Sequence, residues 1–359
     1  MRPVYYLAVF VPVALALDLA DATPPAVFFV SALAMVPAAA LMSDATEQLA
    51  ERSGPGVAGL LNVTFGNTPE LIIAVFALAD GLHEVVKATI VGSVIGNSLL
   101  VLGAAMLAGG WRRTSQTFSR AAAQTQAGML LVSVSALLLP AVFQLAHDGD
   151  LPAVDLTRKS FGSDLENLSL AVALVLIATY VAGLFFSLRT HRALFNPERE
   201  EYPDTQPWTV RRSLIVLVIA AVLVAVASDT LVGSIAHASR EIGLSQFFIG
   251  AFVVAIVGNA AEHWVAVVAA VKDKMDLSVN IAIGSSVQIA LFVTPVLVLL
   301  SFVVGPAPMA LVFNGYELAA LLLASLITLA VTADGESTWF EGVQLLAVYV
   351  VLGLVFVFA

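Results

Sequence analysis

The sequence predicts an all-α integral membrane protein with about eleven transmembrane helices. We expect one extra N-terminal helix followed by two inverted five-helix repeats. Three observations support this prediction. Sixty per cent of the 359 residues are apolar and 12% are charged, which is typical of a membrane protein rather than a soluble domain. Apolar stretches recur along the whole chain, and a short polar phrase occurs twice inside such stretches.

Eleven apolar stretches are predicted to be helices, because a segment in hydrocarbon must satisfy its own backbone hydrogen bonds. Most of them reach the ~20 residues that a helix needs to cross the bilayer. The first stretch could instead be a signal peptide, since Arg2 precedes it, although Asp18 and Asp21 stand where a clean cleavage site would be. The approximate limits are 4–20, 25–46, 57–79, 86–109, 122–145, 167–188, 211–232, 245–271, 277–303, 309–331 and 338–358.

The predicted domain order starts with the N-terminal transmembrane helix at 1–21. The first repeat, spans 2–6, covers 22–196, a polar cytoplasmic linker covers 197–209, and the second repeat, spans 7–11, covers 210–359. Lys and Arg near the span ends divide twelve to four in favour of the side that carries the N-terminus. The positive-inside rule therefore places the N-terminus in the cytoplasm and the C-terminus outside. The small size favours a prokaryotic inner membrane.

The repeated phrase has the form Gly-Asn-x-x-Glu. The first copy begins at Gly66 and the second at Gly258, an offset of 192 residues, and a Gly-Ser pair follows each glycine 26 residues later. The copies lie in the third and eighth spans, so they enter the membrane from opposite faces. Inverted repeats of this kind place a binding site near the midplane, where the halves meet.

Glu70 and Glu262 are the predicted centre of that site. A carboxylate in hydrocarbon costs about 2.5–3.5 kcal/mol on insertion scales, and no Lys or Arg lies in the middle of a predicted span to pair with one. Asn67 and Asn259 share a helix face with the carboxylates, and Pro69 is expected to kink the third span. Such an oxygen shell suits Ca²⁺ and suits Zn²⁺ poorly. Structural polar contacts between helices are the alternative.

The same two carboxylates can bind protons instead of a metal ion. A Ca²⁺-bound pair and a doubly protonated pair are both neutral, whereas the empty, doubly ionised pair is costly in the membrane. A carrier that avoids the costly state exchanges one cargo for the other. This charge argument predicts antiport of Ca²⁺ and protons, with Ca²⁺ as the transported substrate and no cofactor.

At these residues the chain resembles the Ca²⁺/H⁺ exchanger (cation/proton exchanger, CAX) family, a branch of the Ca²⁺/cation antiporter superfamily. The resemblance runs from the second span to the C-terminus. Besides the repeated phrase it rests on GSSVQIAL at 284–291 and DGESTWFEG at 334–342. It implies eleven helices and alternating access, with Glu70 and Glu262 binding Ca²⁺ and the counter-transported protons, and with Asn67 and Asn259 lining the site.

The resemblance also implies residues beside the site. Ser93, Ser285 and Gln288 would lie on partner helices, although the serines could equally serve close packing. His263, which follows the second carboxylate, either bonds another helix or relays protons.

Three acidic residues are further family positions. Asp44 and Glu47 stand at the cytoplasmic end of the second span, and Asp229 stands at the outer end of the seventh. They would form a vestibule that attracts cations, or they are ordinary solvated helix ends. The family commonly has Glu where this chain has Asp229, so the reach of that carboxylate is shorter.

Other function classes have less support. A Na⁺-coupled exchanger of the same superfamily would carry a hydroxyl-rich GTSxPE-like motif, whereas both copies here have Asn after the glycine. An intramembrane enzyme would need a motif such as HExxH or a nucleophilic cysteine, and the chain has neither. A passive channel is a third alternative. The predicted partners are Ca²⁺, H⁺ and the lipid bilayer; no basic patch indicates nucleic acid, and an oligomer is possible.

Overall fold

The protein is described here by a computed structural model that covers residues 3–52, 61, 65–153, 162–190 and 208–359. Residues 197–207 of the predicted linker lie outside the described residues. Nearly all described secondary structure is helical. The α-helices are α1 (Phe10–Leu19), α2 (Pro24–Arg52), α3 (Thr68–Ala79), α4 (His83–Ile95), α5 (Leu102–Gly110), α6 (Arg120–Asp148), α7 (Ser163–Phe185), α8 (Val210–Ile242), α9 (Gln246–Phe248), α10 (Ala255–Gly258), α11 (Ala260–Val271), α12 (Met275–Gln288), α13 (Thr294–Ser301), α14 (Gly315–Val331) and α15 (Trp339–Phe358).

Several helices are joined by segments of different helical pitch. A 3₁₀-helix precedes α1, and π-helical segments link α4 to α5, follow α7, link α9 to α10 and link α12 to α13. In that order they are Pro3–Val9, Gly96–Val101, Phe186–Thr190, Ile249–Val254 and Ile289–Val293. π-Helical turns inside helices occur frequently at functional sites.

Seven helical runs among the described residues are long and apolar enough to cross a membrane. An eighth candidate is a pair of helices, Gln246–Gly258 and Ala260–Val271, bent by 62° at the break between them. Three shorter apolar helices, Val4–Leu19, Thr68–Ala79 and Gly315–Val331, fall within the remaining predicted stretches. The seven runs are Pro24–Ala50, His83–Gly110, Arg120–His147, Ser163–Thr190, Val210–Ile242, Met275–Ser301 and Trp339–Phe358.

Helix starts recur at the offset seen in the sequence. α3 and α11 begin 192 residues apart, at Thr68 and Ala260, and so do α4 and α12, at His83 and Met275. A π-helical segment follows both α4 and α12. The repeated residues therefore have repeated local structure.

The chain forms two compact units. The first contains Met1–Phe76, Val181–Gly243 and Val257–Ala261. The second contains Ala77–Tyr180, Leu244–Ile256 and Glu262–Ala359. Each unit takes residues from both predicted repeats.

The first unit is built on α2 and α8, which pack along each other, with α1 against both. The Ser31 hydroxyl donates a hydrogen bond of 2.9 Å to the Thr230 hydroxyl across this pair. The buried Ser228 hydroxyl approaches the Met35 sulfur at 3.7 Å. Small and hydroxylated residues are typical of helix contacts in membranes, because they let the backbones approach closely.

The second unit depends on glycine contacts where α4 meets the π-helical segment Ile249–Val254. A methyl group at Gly92 would collide with the backbone carbonyl of Ala251. A methyl group at Gly250 would lie 3.0 Å from the carbonyl oxygen of Val85. A glycine on each of the two segments lets the backbones approach closely at this contact.

The second unit also contains a short antiparallel pair of strands, β1 (Gln116–Thr117) and β2 (Glu336–Ser337). The Gln116 side chain donates hydrogen bonds to the Ala270 carbonyl at 3.0 Å and to Asp273 Oδ1 at 2.7 Å. These contacts join the connections that follow α5, α11 and α14.

Candidate functional site

Both copies of the repeated phrase contain a turn at the asparagine, with helical residues on either side of it. Asn67 and Asn259 each occupy a turn directly before a helix, α3 and α11 respectively. Glu70 and Glu262 are the third residues of those helices. The two predicted carboxylates thus have the same local position, in the first turn of a helix that starts inside a predicted span.

A helix start is a favourable place for a carboxylate, because the first N–H groups carry a partial positive charge. A helix that ends just before the break presents carbonyl oxygens that its own N–H groups do not reach. Broken helices in transporters use such ends to bind ions. In the second copy α10 ends at Gly258, directly before the break, and its last carbonyl groups are candidate oxygen ligands.

The first break lies at Asn67, two residues before Pro69, where a kink was expected. Pro69 is the second residue of α3, where its missing N–H costs little because the first N–H groups of a helix have no intrahelical acceptor. The second copy breaks at Asn259 with no proline at all. The Gly-Asn pair, common to both copies, is the shared feature at the break.

Glu70 lies in the interior of the first unit next to the second copy of the phrase. Its side chain is 4% exposed and Asn67 is 1% exposed. A methyl group at Gly258 would lie 3.4 Å from Glu70 Cγ and 3.5 Å from Glu70 Oε1. Asn259 is also 1% exposed. The structure thus brings the glycine of one copy against the carboxylate of the other, within one compact unit.

Glu262 lies in the second unit and is half-buried. The hydroxyl of Ser285, on α12, donates a hydrogen bond of 2.5 Å to Glu262 Oε2. The predicted neighbour is therefore a direct partner of the carboxylate. This bond holds one carboxylate oxygen in a fixed direction and offsets part of its negative charge.

His263 bonds another helix, which was one of its two expected roles. Its Nε2 lies 3.0 Å from Oδ1 of Asn97, in the π-helical segment Gly96–Val101. An amide oxygen only accepts, so Nε2 is the donor in this pair. The bond ties the first turns of α11 to the segment that follows α4.

Ser93 and Gln288 occupy helices that lead into π-helical segments. Ser93 is buried on α4, at the position 192 residues before Ser285. Gln288 is half-buried and is the last residue of α12. Both residues take part in contacts within the protein.

The three acidic vestibule candidates belong to the first unit. Asp44 is half-buried and accepts a hydrogen bond from the Tyr5 hydroxyl, whereas Glu47 and Asp229 are exposed. Asp229, expected at the outer end of the seventh span, lies within α8. α8 continues beyond the predicted limit of 232 to Ile242 and ends at Gly243, which adopts φ 78°, a left-handed conformation that favours glycine.

One polar group was missed by the sequence analysis. Lys87 lies at the start of a predicted span, yet it is 1% exposed and pairs with Glu84. Its Nζ also donates to the Val312 carbonyl at 2.7 Å, just before α14, whose first turn contains the buried Glu317. Two spacings could have indicated it. Glu84 and Lys87 are three apart at a helix start, and Asn314-x-x-Glu317 is a capping-box pattern.

No group of three or more His, Cys, Asp or Glu side chains suited to a metal ion occurs in the described part of the chain. The predicted oxygen shell contains only two carboxylates, and its other ligands are amide and carbonyl oxygens. Such a shell suits a transported ion, because a cargo must be released as well as bound.

A family model described as sodium/calcium exchanger protein matches residues 23–189 and 212–358. The Ca(2+)/H(+) antiporter of Synechocystis sp. is 43% identical over 373 residues, covering 98% of this chain and 96% of the relative. The Ca(2+)/H(+) antiporter ChaA of Bacillus subtilis is 42% identical, covering 93% of this chain and 92% of the relative.

Two solved structures are similar over nearly the whole chain. The structure of native YfkE has a TM-score of 0.83 at 36% identity, covering 99% of this chain and 100% of that one. The crystal structure of the H+/Ca2+ exchanger CAX has a TM-score of 0.75 at 15% identity, covering 99% of this chain and 91% of that one. The second likeness shows the fold alone.

Proposed function

This chain belongs to the sodium/calcium exchanger protein family and, within it, to the Ca²⁺/H⁺ exchangers, and we propose that it exchanges Ca²⁺ for protons across a membrane. The observation that carries the proposal is a contact between the two repeated phrases. The glycine of one repeated phrase lies against the buried carboxylate of the other, at a helix break that supplies oxygen ligands. Full-length relatives named Ca(2+)/H(+) antiporters support the choice of ions.

The proposed architecture has eleven membrane spans. The eight candidates and three shorter apolar helices of the described residues correspond to the eleven apolar stretches. Residues 22–196 and 210–359 form inverted repeats in this proposal, supported by helix starts that recur 192 residues apart. Residues 1–21 are the extra helix and 197–209 the cytoplasmic linker. The N-terminus is cytoplasmic and the membrane is a prokaryotic inner membrane.

The proposed site binds Ca²⁺ or protons, alternately, at Glu70 and Glu262. Asn67 and Asn259 contribute amide oxygens, and the carbonyl groups at the helix breaks complete an oxygen shell of the kind that Ca²⁺ prefers. Alternating access follows from the charge argument. The protein changes its accessible side when the two carboxylates are neutralised, by Ca²⁺ or by protons, and rarely when both are empty and ionised.

The residues around each carboxylate have supporting roles in this proposal. The Ser285 hydroxyl, 2.5 Å from Glu262 Oε2, orients that carboxylate toward the ion. The bond between His263 and Asn97 fixes the start of α11. Ser93 and Gln288 are proposed to line the path on α4 and α12, and Asp44, Glu47 and Asp229 to attract cations at its mouths.

The proposal is tested by ⁴⁵Ca²⁺ uptake into proteoliposomes under an imposed pH gradient. Wild-type protein should show gradient-driven uptake, and Glu70→Gln and Glu262→Gln should each abolish it, because a neutral amide cannot alternate between the two cargoes. Glu336→Gln is the matched control, since Glu336 is exposed in β2, and should transport normally. Retained uptake in either site variant would remove that residue from the mechanism.

Sodium coupling is examined in the same vesicles. A Na⁺ gradient without a pH gradient should drive no uptake by the wild-type protein. Uptake driven by Na⁺ alone would replace the proton with sodium as the coupling ion. Flux that does not depend on a counter-ion would indicate a channel.

A further inference from the structure

Two helices of the second unit meet at a pair of side-chain amides. Nε2 of Gln126, on α6, donates a hydrogen bond of 2.6 Å to Oδ1 of Asn280, on α12. The two helices pack against each other, and both residues are half-buried. Neither residue belongs to the repeated phrase or to the Gly-Ser pair that follows it, and the proposed transport mechanism gives neither of them a role.

The Gln126 amide also covers the glycine of the second Gly-Ser pair. A methyl group at Gly284 would lie 3.8 Å from Gln126 Nε2, an ordinary contact distance. Asn280 and Gly284 are four residues apart in α12, so they share one face of that helix. One side chain of α6 therefore lies over two successive turns of α12.

The contact between the two amides is what holds the Gln126 side chain. Its other polar atom, Oε1, is buried and has no hydrogen-bond partner among the residues that the structure describes. A polar pair between apolar helices fixes how the helices face each other, because a buried polar group is costly to leave unpaired. The bond to Asn280 thus sets the orientation of α12 relative to α6.

The orientation of α12 decides where Ser285 points. Successive residues of a helix are about 100° apart, so Gly284 faces α6 while Ser285 faces α11, where its hydroxyl donates a hydrogen bond of 2.5 Å to Glu262 Oε2. A rotation of α12 by about 20° about its axis would move that hydroxyl by roughly 1 Å or more. A hydrogen bond weakens steeply over such a change in distance and angle.

The corresponding glycine of the first Gly-Ser pair has a different neighbour. Gly92, 192 residues before Gly284, lies against the backbone of Ala251, with which an added methyl group would collide. Gly284 instead lies under the end of a side chain. A backbone contact cannot be removed by a substitution at one residue, whereas the amide over Gly284 can.

We propose that Gln126 is a positioning residue for the ion site, an inference that rests on the proposed exchange of Ca²⁺ for protons. Its amide holds α12 in the rotation that directs the Ser285 hydroxyl at Glu262. Gln126 acts through Ser285 and does not bind the ion itself. Its loss should weaken Ca²⁺ binding without preventing turnover, because both site carboxylates remain.

The test is the initial rate of ⁴⁵Ca²⁺ uptake into proteoliposomes under an imposed pH gradient, measured as a function of Ca²⁺ concentration. Gln126→Leu removes the amide but keeps a side chain of similar size. It should raise the Ca²⁺ concentration for half-maximal uptake about threefold, while the maximal rate stays within about twofold of the wild-type value. Asn280→Leu should have the same effect, because it removes the acceptor of the same bond.

Gln124→Leu is the matched control. Gln124 lies on the same helix, but its amide donates to the Leu329 carbonyl at 2.9 Å and to the Thr332 hydroxyl at 3.0 Å. The control removes the same group from α6 and leaves the contact with α12 intact. It should change neither the half-maximal Ca²⁺ concentration nor the maximal rate.

A double-mutant cycle with Ser285→Ala separates positioning from general support of the fold. Because Gln126 acts through Ser285, Gln126→Leu should change the half-maximal Ca²⁺ concentration little in a protein that already carries Ser285→Ala. Additive effects of the two substitutions, an unchanged value in Gln126→Leu, or an equal effect of Gln124→Leu would overturn the proposal. A wild-type protein without gradient-driven uptake would instead refute the proposed exchange, so the two failures have different readouts.

Discussion

At the scale of single residues, the bond between Ser285 and Glu262 links a predicted partner to a predicted site carboxylate. A hydroxyl that donates to a charged group contributes about 1.5–3 kcal/mol, far more than an ordinary packing contact of a serine. The adjacent Ser286 provides a contrast, since its hydroxyl bonds the carbonyl groups of Val94 and Ala282 instead. Two neighbouring serines of one helix therefore have different roles.

We predict that Ser285→Ala raises the Ca²⁺ concentration for half-maximal uptake about tenfold, because the loss of about 1.5 kcal/mol corresponds to that factor. Ser286→Ala should change it little. The measurement is initial-rate ⁴⁵Ca²⁺ uptake into proteoliposomes as a function of Ca²⁺ concentration. Equal effects of the two substitutions would show that packing, not the carboxylate bond, is the role of Ser285.

A second prediction concerns the glycine beside Glu70. Gly258→Ala should lower the transport rate while the protein stays folded, because the added methyl group meets Glu70 at ordinary contact distances of 3.4 and 3.5 Å and fills space needed by an ion. Gly128→Ala in α6 is the control, since no atom lies within 4 Å of its added methyl group. Normal uptake by Gly258→Ala would show that no ion uses that space.

At the scale of elements, each copy of the repeated phrase marks the start of a helix inside a predicted span. The break occurs at the asparagine in both copies, with proline in one and without it in the other. Each start puts a carboxylate in the first helical turn, where the N–H groups of the helix offset its charge. In the second unit, the glycine contact brings α4 close to the segment Ile249–Val254.

The third prediction tests that contact. Gly92→Ala should lower the thermal unfolding midpoint by several degrees, because its methyl group would collide with the Ala251 backbone, and overpacking typically costs about 1–3 kcal/mol. Gly96→Ala, on the next turn, has no atom within 4 Å of the added methyl group and should be neutral or slightly stabilising. The two midpoints are compared by differential scanning fluorimetry, and equal values would contradict the close approach.

At the scale of the whole molecule, the absence of cysteine makes the proposed topology directly measurable. Asp150 follows α6 and Lys272 follows α11, and both are exposed. In the proposed orientation the first residue is outside and the second is in the cytoplasm. The two positions differ by an odd number of proposed spans.

The fourth prediction is that a membrane-impermeant thiol reagent labels Asp150→Cys in intact cells, whereas it labels Lys272→Cys only after the membrane is opened. The unmodified chain has no thiol and serves as the blank. Labelling of both positions from the same side would contradict the number of spans between them, and the reverse pattern would invert the orientation.

The membrane character and the repeated phrase were determined by the sequence alone, because apolar length and a recurring carboxylate are visible without coordinates. The relation to the Ca²⁺/H⁺ exchangers was predicted from the same motifs and confirmed by full-length relatives. These features depend on residue type and spacing, and both can be read from the sequence.

Tertiary structure decided which residues meet. Nothing in the order of residues indicates that Gly258 lies against Glu70, or that Asn97 bonds His263, because these pairs are far apart in the chain. The burial of Lys87 also depends on the fold. Its partner Glu84 is local, but the Val312 carbonyl that accepts its hydrogen bond is far along the chain and reaches it only through packing. The free-energy cost of such charges depends on burial rather than on composition, because it arises from the loss of contact with water.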